Sequence, residues 1–406
     1  MCSQYNFDKI ISRKHTDSAK WSVAEGIFGE KDVLPMWVAD MDFPIADEIT
    51  AAIKKRADHQ IYGYAVPGPK VFEAVINRMK QKYAWDVKPE WIVFTPGIVP
   101  ALYASVKAFT NPGDEVIIQS PVYRPFWSSV KENGCQVINN PLTLSHRGYE
   151  IDFDDLLDAF TFTKNPGLVP ASSRANMMIF CSPHNPVGRV WTKQELLKIG
   201  ETIVKNNAII ISDEIHAEIL FSGSTHTPFA SISKEFEQCS LTCISPSKAF
   251  NLAGLSASAI IIPNPKLRKL FNRAKNGIMP MINSFGLVSM EAAYTLGDQW
   301  LEACLQYLQD NLDFMCQFIQ NKIPRVKFIK PEGTYLVWLD FRDLRMNNME
   351  LRNLIRKKAK LGLEDGFTFG PGGEGFQRMN IACPRSVLHE ALERLESAIN
   401  DATNFF

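Results

Sequence analysis

One lysine stands in a segment whose neighbours could hold a cofactor. Lys248 lies beside Ser245 and Ser247 and before a loop of small residues, directly after the apolar run Leu241-Thr242-Cys243-Ile244. Lysine amines form imines with aldehydes, and a partly desolvated lysine does so at neutral pH, while neighbouring hydroxyls could hold a phosphate. Taken alone the segment is weak support for such a site, because a lysine after a strand is more often a solvated loop residue.

A glycine turn and a tyrosine follow two other predicted strands. Gly97 comes after the apolar run 91–94 and opens a helix, so the exposed amide groups there and the helix dipole favour a phosphate. Tyr123 follows the next apolar run, where an aromatic ring could lie on a planar cofactor. A plain strand-to-helix turn and a packed surface tyrosine are the competing interpretations.

An asparagine and an aspartate follow the next two predicted strands. Asn185 is held between two prolines, so its amide has few conformations and could reliably hydrogen-bond a phenolic oxygen. Asp213 ends a buried strand, where an isolated charge is unfavourable and a protonated ring nitrogen would supply a cationic partner. Without a ligand these residues would be a proline-rich turn and a strand-end cap, and the nearby His216 would be a satisfied core histidine.

The elements that must position these residues alternate through the middle of the chain. Apolar runs typical of buried strands occur at 91–94, 115–118, 176–180, 208–211 and 241–244. Helices are predicted at 46–58, at 69–83, from Ala101 and after Thr192, which forms a capping-box pattern with Glu195. Uninterrupted apolar runs between helices indicate a mainly parallel sheet covered on both faces, and ligands bind beyond the carboxyl ends of such strands.

The pattern changes after about residue 290 to long helices, with a strand at 335–339 and a final helix from Ser386. We therefore expect an α/β protein with two domains. The large domain, 46–288, would contain the central mainly parallel sheet. A smaller α+β domain would be assembled from both chain ends, 1–45 and 289–406.

Bulk composition favours small-molecule chemistry. Lys+Arg and Asp+Glu number 44 each, so no excess of positive charge points to nucleic acid or an anionic membrane. The 8 cysteines are scattered without a CxxC pair, which is typical of reduced thiols in a cytoplasmic protein and argues against a metal site. The N-terminus has no apolar signal region, and no run approaches the ~18 apolar residues of a membrane span.

In combination, the residues after the strands resemble the fold-type I pyridoxal-phosphate enzymes, the aspartate aminotransferase superfamily, over essentially the whole chain. The closer resemblance is to the MalY/PatB-type cystathionine β-lyases. Four segments carry it: Leu34-Pro35-Met36-Trp37-Val38-Ala39-Asp40-Met41-Asp42-Phe43, Ile61-Tyr62-Gly63-Tyr64, Ser212-Asp213-Glu214-Ile215-His216 and Met379-Asn380-Ile381-Ala382-Cys383-Pro384-Arg385-Ser386. The resemblance implies an aspartate aminotransferase-like fold and pyridoxal 5′-phosphate as the cofactor.

The resemblance also implies a role for each candidate. Lys248 would carry the cofactor as a Schiff base, Asp213 would pair with the pyridinium nitrogen, and Asn185 would contact the ring hydroxyl. Tyr123 would stack on the ring, and it joins Lys248 and Asp213 as a predicted catalytic residue. His216 would contact the cofactor where many aminotransferases place a tyrosine. The residues implied for the phosphate are Gly97, Ile98, Val99, Ser245 and Ser247.

Arg378 is the residue implied for the substrate α-carboxylate, with Ala39 and Asn185 beside it. A planar guanidinium suits that two-pronged contact. Arg385 is the rival, and we favour Arg378 because the spacing Arg-x-Asn, through Asn380, matches the superfamily motif.

A homodimer with shared sites is implied by Tyr64, which would reach the phosphate of the neighbouring subunit. One departure from the superfamily pattern concerns the segment after Lys248. It has no obvious arginine where some relatives place a second phosphate ligand, which would weaken the phosphate contact without abolishing it.

The leading functional hypothesis is a carbon–sulfur β-lyase acting on L-cystathionine or a related cysteine S-conjugate. The amine of Lys248, freed by the substrate, would remove the Cα proton, and loss of a thiolate from Cβ would lead to pyruvate and ammonia. Reprotonation at the cofactor instead would make the protein an aminotransferase with the same residues. A binding or regulatory protein on this fold is the third hypothesis, which the set Asn185, Asp213 and Lys248 disfavours.

Overall fold

A seven-stranded sheet forms the centre of the computed structural model, which describes residues 5–146, 148–161 and 175–403. Its strands are parallel except one, Ser258–Ile261, which runs antiparallel to both of its neighbours. Across the sheet the strands follow the order Ile92–Thr95, Ser258–Ile261, Ser240–Ile244, Ile209–Asp213, Met177–Cys181, Glu115–Ile118 and Gln136–Asn139.

The five predicted apolar strands are confirmed, each within one or two residues of its predicted bounds. All five are buried along their whole length except at Ile209, as expected for strands covered on both faces. Alternate side chains enter opposite cores because successive residues of a strand point to opposite faces. Ile117 belongs to one apolar cluster, and its neighbours Val116 and Ile118 belong to another.

Helices cover the sheet and extend beyond it. The predicted capping box is confirmed, because Thr192 Oγ1 accepts from the Glu195 N–H at 3.2 Å while Glu195 Oε2 accepts from the Thr192 N–H at 2.7 Å. The α-helices span Ala19–Ser22, Ala24–Phe28, Asp47–Asp58, Pro69–Tyr83, Ile98–Phe109, Pro125–Lys131, Phe153–Thr161, Lys193–Lys205, Lys234–Gln238, Pro246–Ala249, Pro265–Lys275, Ser284–Leu296, Asp298–Lys322, Asn348–Asn353 and Arg385–Thr403.

One predicted helix start was wrong. The helix expected from Ala101 begins at Ile98, directly after the glycine turn. Pro100 therefore lies in its first turn, where a proline is tolerated because that N–H has no partner within the helix. This correction places the helix N-terminus itself at Gly97.

A second sheet of four antiparallel strands lies in the C-terminal part of the chain. Its order is Lys327–Phe328, Leu336–Asp340, Phe376–Asn380 and Glu364–Asp365. Near the chain start, Leu34–Pro35 pairs in parallel with Leu361–Gly362, so the two ends of the chain are joined by backbone hydrogen bonds. A small hairpin, Thr143–Ser145 with Gly148–Glu150, completes the strands. Within the described ranges, no helix has both the length and the apolar character needed to cross a membrane.

Candidate active site

A cavity of about 620 Å³ lies beyond the carboxyl ends of the central strands. It has the size of a typical small-molecule site. Every predicted site residue except Tyr64 lines it: Ala39, Gly97, Ile98, Val99, Tyr123, Asn185, Asp213, His216, Ser245, Ser247, Lys248 and Arg378. Tyr64 lies outside this lining with a fully exposed side chain. The sequence therefore identified residues that the fold brings together from seven separate segments of the chain.

Lys248 is held in the cavity wall by the short helix Pro246–Ala249. Its Nζ donates to the carbonyl oxygen of Ala39 at 2.7 Å, and the hydroxyl of Tyr335 donates to the same oxygen at 3.0 Å. Burial, followed by the positive charge of Arg378, lowers the pKa of Lys248 to about 8. About a tenth of this amine is therefore neutral at pH 7, far more than for an ordinary lysine, and the neutral form is the one that a nucleophile or a base requires.

Asp213 ends its strand inside the cavity wall and is buried. Its Oδ1 accepts from the Ile215 N–H at 3.2 Å, and among the described residues no lysine or arginine lies within ion-pair distance. Burial raises the pKa of Asp213 to about 7, against the weaker opposing effects of that hydrogen bond and of Lys248. A carboxylate in this position lacks a cation that a protonated ring nitrogen would provide.

His216 is buried at the same end of the sheet, and its Nδ1 has no hydrogen-bond partner among the described residues. Burial, with the positive charges of Lys248 and Arg378, lowers its pKa to about 3, so the ring is a neutral imidazole. Its edge faces the ring of Tyr335, with 6.3 Å between centroids. A buried nitrogen without a partner is unusual and is consistent with contact to a ligand.

The candidate phosphate contacts come from two loops. At the glycine turn, the first amides of the helix Ile98–Phe109 have no partner within the helix and line the cavity. In the other loop, the Ser245 hydroxyl donates to the Ala257 carbonyl at 2.7 Å and accepts from the Ser247 N–H at 3.1 Å. Because a hydroxyl has a single proton, Ser247 is the serine able to turn toward a phosphate.

Tyr123 and Asn185 are joined through the backbone, since the Tyr123 N–H donates to the Asn185 carbonyl at 3.2 Å. Asn185 is buried, and its Oδ1 accepts from Arg378 Nη1 at 3.0 Å. Its Nδ2 makes no hydrogen bond within the described part of the chain, so a donor faces the cavity. Burial raises the pKa of the Tyr123 hydroxyl above its usual value, which keeps it protonated.

Arg378 faces the cavity from the strand Phe376–Asn380, and its rival does not. The buried guanidinium donates through Nη2 to the Trp37 carbonyl at 2.7 Å, and its Nε has no partner among the described residues. Arg385 lies outside the lining and donates through Nε to Asn311 Oδ1 at 2.7 Å. Of the two arginines, only Arg378 is placed to meet a carboxylate in the cavity.

Residues 37–43, which we call the strap, cross this site and are held by their backbone carbonyls. Asn380 Nδ2 donates to the carbonyls of Val38 and Asp40 at 2.7 and 2.6 Å. Asn251 Nδ2 donates to those of Met41 and Phe43, each at 3.0 Å. With the contacts of Arg378 to Trp37 and of Lys248 to Ala39, every strap carbonyl except that of Asp42 accepts from one of four polar side chains.

Charged side chains hold the strap from its other side. Arg13 bonds both carboxylates of the strap, Asp40 at 2.5 Å and Asp42 at 2.8 Å. The buried Lys20 bonds Asp42 at 2.5 Å as well. Arg13 and Lys20 therefore support the site from outside, because they hold the strap in which Ala39 meets Lys248.

Sequence reasoning missed several lining residues, among them Tyr103, Arg124, Ser256, Glu364 and Thr368. Arg124 directly follows Tyr123 and could have been found by extending that motif. Ser256 lies in the segment after Lys248 where no arginine was found. Glu364 is opposite Arg378 in the antiparallel register, a relationship that no local pattern reveals.

Comparisons with known proteins agree over the whole chain. Cystathionine β-lyase PatB of Bacillus subtilis is 43% identical over 397 residues, which are 97% of this chain and 100% of that protein. Cystalysin of Treponema denticola, whose crystal structure contains pyridoxal 5′-phosphate, has a TM-score of 0.92 and 37% identity, covering 98% of this chain and 99% of that one. A pyridoxal-phosphate-bound protein of Clostridium difficile 630 has a TM-score of 0.93 and 43% identity, with 98% and 100% covered.

The family comparison matches residues 31–395 to the family described as aminotransferase class I and II. That range contains the central sheet, the C-terminal sheet, the strap and every lining residue named above. With this match and the full-length likeness to the Bacillus subtilis protein, the chain belongs to the class I and II aminotransferase family.

Proposed function

We propose that this protein is a pyridoxal-phosphate-dependent carbon–sulfur β-lyase that converts L-cystathionine or a related cysteine S-conjugate to a thiol, pyruvate and ammonia. The observation that carries the proposal is the single cavity that gathers Lys248, Asp213, Asn185 and Arg378. Such a site could perform several reactions. The 43% identity to the Bacillus subtilis cystathionine β-lyase, over the full length of that protein, supports the lyase reaction.

The residues present fit the cofactor. Within the ranges that the structure describes, Asp213 is a buried carboxylate without an ion-pair partner, and His216 has a buried nitrogen without a hydrogen-bond partner. The helix start after Gly97 and the hydroxyl of Ser247 provide donors for a phosphate. Each edge of a pyridoxal ring would therefore find a complementary group, with Lys248 as the amine for its aldehyde.

When bound, pyridoxal phosphate supplies an electron sink for the negative charge that develops at the substrate Cα. Asp213, as a carboxylate, would keep the ring nitrogen protonated so that this charge is stabilised. Asn185 would donate from Nδ2 to the ring oxygen, and Tyr123 would cover one ring face. These contacts fix the ring so that no reorganisation is needed during reaction.

Lys248 would act as the base that takes the Cα proton. Its lowered pKa, about 8, gives a neutral fraction near pH 7 and matches the operating pH better than an ordinary lysine would. The Ala39 carbonyl accepts from Nζ at 2.7 Å and so holds the amine at one position when it is not bonded to a ligand.

Arg378 would orient the substrate through its α-carboxylate. The guanidinium is held in place by Asn185 and by the Trp37 carbonyl, so two of its nitrogens are positioned before substrate arrives. Its buried Nε–H has no acceptor among the residues that the structure describes, so it is free to donate to the substrate. An arginine fixed in this way can bind a carboxylate through two hydrogen bonds from its planar guanidinium.

An aminotransferase is the second candidate, because the matched family is described by that activity. The two reactions are separated by incubating the protein with L-cystathionine and pyridoxal phosphate in the absence of any keto acid. Release of pyruvate together with a free thiol is the expected result. No pyruvate, but amino transfer once a keto acid is added, would show that the aminotransferase assignment is the correct one.

The Lys248→Ala variant tests whether the protein is an enzyme at all. We expect pyruvate release to fall at least about a hundredfold, since the base is lost, while added cofactor still binds without a covalent bond. Lys269→Ala, which removes an exposed lysine on the helix Pro265–Lys275, is the matched control. Unchanged turnover in Lys248→Ala would contradict the role of this lysine.

The proposal includes a cytoplasmic homodimer in which Tyr64 reaches the phosphate of the neighbouring active site. Four exposed apolar side chains on one extended segment support a covered face there: Ile61, Tyr62, Tyr64 and Val66. The described cysteines are free thiols, in keeping with a reducing compartment.

We also propose that the chain has two domains, one at 46–288 and one formed by the joined chain ends. The pairing of Leu34–Pro35 with Leu361–Gly362 supports the second domain.

A further inference from the structure

Five charged side chains line the active-site cavity within the described ranges, and the proposed mechanism uses three of them. Lys248 and Asp213 serve the cofactor, and Arg378 serves the substrate α-carboxylate. Arg124 and Glu364 have no role in that scheme. One cation and one carboxylate are therefore left over in the same cavity.

Glu364 is a carboxylate that faces the cavity without a hydrogen-bond donor from the described residues. Its nearest cation is Arg378 Nη2, at 3.8 Å, and its side chain keeps 29% of its surface accessible. Burial raises the pKa of Glu364 above its usual value. A negative charge next to Arg378 would oppose binding of an anionic substrate, so its presence favours a substrate that also carries a cation near this point.

Arg124 lies at the outer edge of the same cavity. It is exposed, and its guanidinium forms no hydrogen bond or ion pair with the part of the chain that the structure describes. Together with Ser128 and Thr368 it also lines a second cavity of about 500 Å³ that continues outward. An arginine at this position is available to a carboxylate on the part of a substrate that extends away from Lys248.

We propose that Arg124 and Glu364 form a subsite for a second amino-acid end of the substrate, Arg124 binding its carboxylate and Glu364 its ammonium group. This inference rests on the proposed lyase function and narrows its substrate class. L-Cystathionine carries such a zwitterion beyond the sulfur, whereas simple S-alkyl cysteines do not. The subsite therefore selects cysteine conjugates whose leaving thiol is itself an amino acid.

The test uses the cofactor-loaded protein and four thioether substrates that share the cysteine half. L-Cystathionine has both distal charges, S-carboxypropyl-L-cysteine only the carboxylate, S-aminopropyl-L-cysteine only the ammonium, and S-propyl-L-cysteine neither. Pyruvate release gives kcat/KM for each, and the ratio to the S-propyl compound measures recognition of the distal end. The variants are Arg124→Gln and Glu364→Gln.

We expect Arg124→Gln to reduce this ratio about tenfold for the two substrates with a distal carboxylate, the size of one charged hydrogen bond. Glu364→Gln is expected to reduce it similarly for the two substrates with a distal ammonium. Lys107→Gln is the matched control, because Lys107 is an exposed cation on the helix Ile98–Phe109 and lies outside both cavities. An equal loss in the control would overturn the proposal, since it would indicate a general effect of positive charge.

Two further outcomes decide against the subsite. If both variants change the four substrates equally, or if Arg124→Gln instead weakens retention of pyridoxal phosphate, neither residue recognises the distal end. Failure of the lyase function has a different signature, because then the unaltered protein releases no pyruvate from any of the four compounds.

Discussion

Asn251 and Met41 bind each other reciprocally: the Met41 N–H donates to Asn251 Oδ1 at 2.9 Å, and Asn251 Nδ2 donates back to the Met41 carbonyl at 3.0 Å. Asn251 follows Lys248 by less than one helical turn, and Met41 lies in the strap that carries Ala39. One side chain therefore fixes the separation between the lysine and the carbonyl that holds its amine.

Replacing Asn251 with glycine removes these contacts without straining the backbone, because its φ is +55° and glycine adopts that conformation readily. We expect the free energy of unfolding to fall by about 1–3 kcal/mol and kcat/KM for L-cystathionine to fall severalfold. Urea unfolding and pyruvate release measure the two effects. Asn207→Gly is the control, since Asn207 is exposed and has a φ of +52°. Equal effects in the two variants would exclude a specific role for Asn251.

The reactivity of Lys248 in the cofactor-free protein should follow its lowered pKa. The neutral amine is the form that adds to an aldehyde, so the rate of imine formation with added pyridoxal phosphate should rise as pH rises through about 8. Arg378→Met removes a positive charge that disfavours the ammonium form, and it should move the midpoint to higher pH. Absorbance changes after mixing, with borohydride trapping, measure the rate. A midpoint near the ordinary lysine value would contradict this prediction.

Asp213→Asn should abolish most activity yet stabilise the cofactor-free protein. The pKa of Asp213 rises from 3.8 to about 7 on folding, so the unfolded chain releases its proton at lower pH than the folded one. Stability is therefore lost as pH rises between these values, and the loss is complete above pH 7. Asparagine carries no such charge, and the variant should be more stable at pH 8 by on the order of 2 kcal/mol, with little difference at pH 4.

Urea unfolding of the two cofactor-free proteins at both pH values checks the effect of Asp213→Asn. Asp58→Asn, at an exposed aspartate of the helix Asp47–Asp58, is the control and should show no comparable change. Added pyridoxal phosphate should reverse the order of stability, because only the carboxylate pairs with the protonated ring. A destabilised cofactor-free variant at pH 8 would be inconsistent with an unpaired buried carboxylate.

A glycine in the helix Lys193–Lys205 should tolerate no side chain. A Cβ on Gly200 would lie 2.1 Å from two ring carbons of Phe236, so Gly200→Ala must displace that ring. We expect a loss of about 1–3 kcal/mol in the free energy of unfolding. Gly26→Ala is the matched control in the helix Ala24–Phe28, where no atom of the described residues lies within 4 Å of the added Cβ, and it should stabilise by about 0.4–1 kcal/mol. Urea unfolding compares the two, and equal effects would contradict the packing argument.

The sequence predicted those site residues that directly follow a buried strand. Five apolar runs predicted five of the six parallel strands, all but the edge strand Gln136–Asn139, and the ends of three of them indicated Asn185, Asp213 and Lys248. Strands are readable in this way because burial on both faces demands continuous apolar residues. The strand Ser258–Ile261 is equally buried, but the sequence analysis predicted no strand in the segment after Lys248.

The rest of the site depends on contacts that leave no local pattern. The strap was recognised by resemblance, but its backbone carbonyls are bound by side chains from residues 248 to 380, and carbonyls are identical for every residue type. Glu364 can be identified as a site residue only once the strand register that pairs it with Arg378 is known. The helix start at Ile98 was missed because Pro100 resembles a boundary, although prolines are common in a first helical turn.

The strap also links the two ends of the chain in time, because residues made late bind residues made early. It is the first part of the site to be synthesised, and the strand that carries Arg378 and Asn380 is among the last. Until that strand is in place, the carbonyls of Val38 and Asp40 lack the donor that Asn380 gives them. We therefore expect cofactor capture to follow folding of the strand Phe376–Asn380, and a chain that lacks this strand to retain little pyridoxal phosphate.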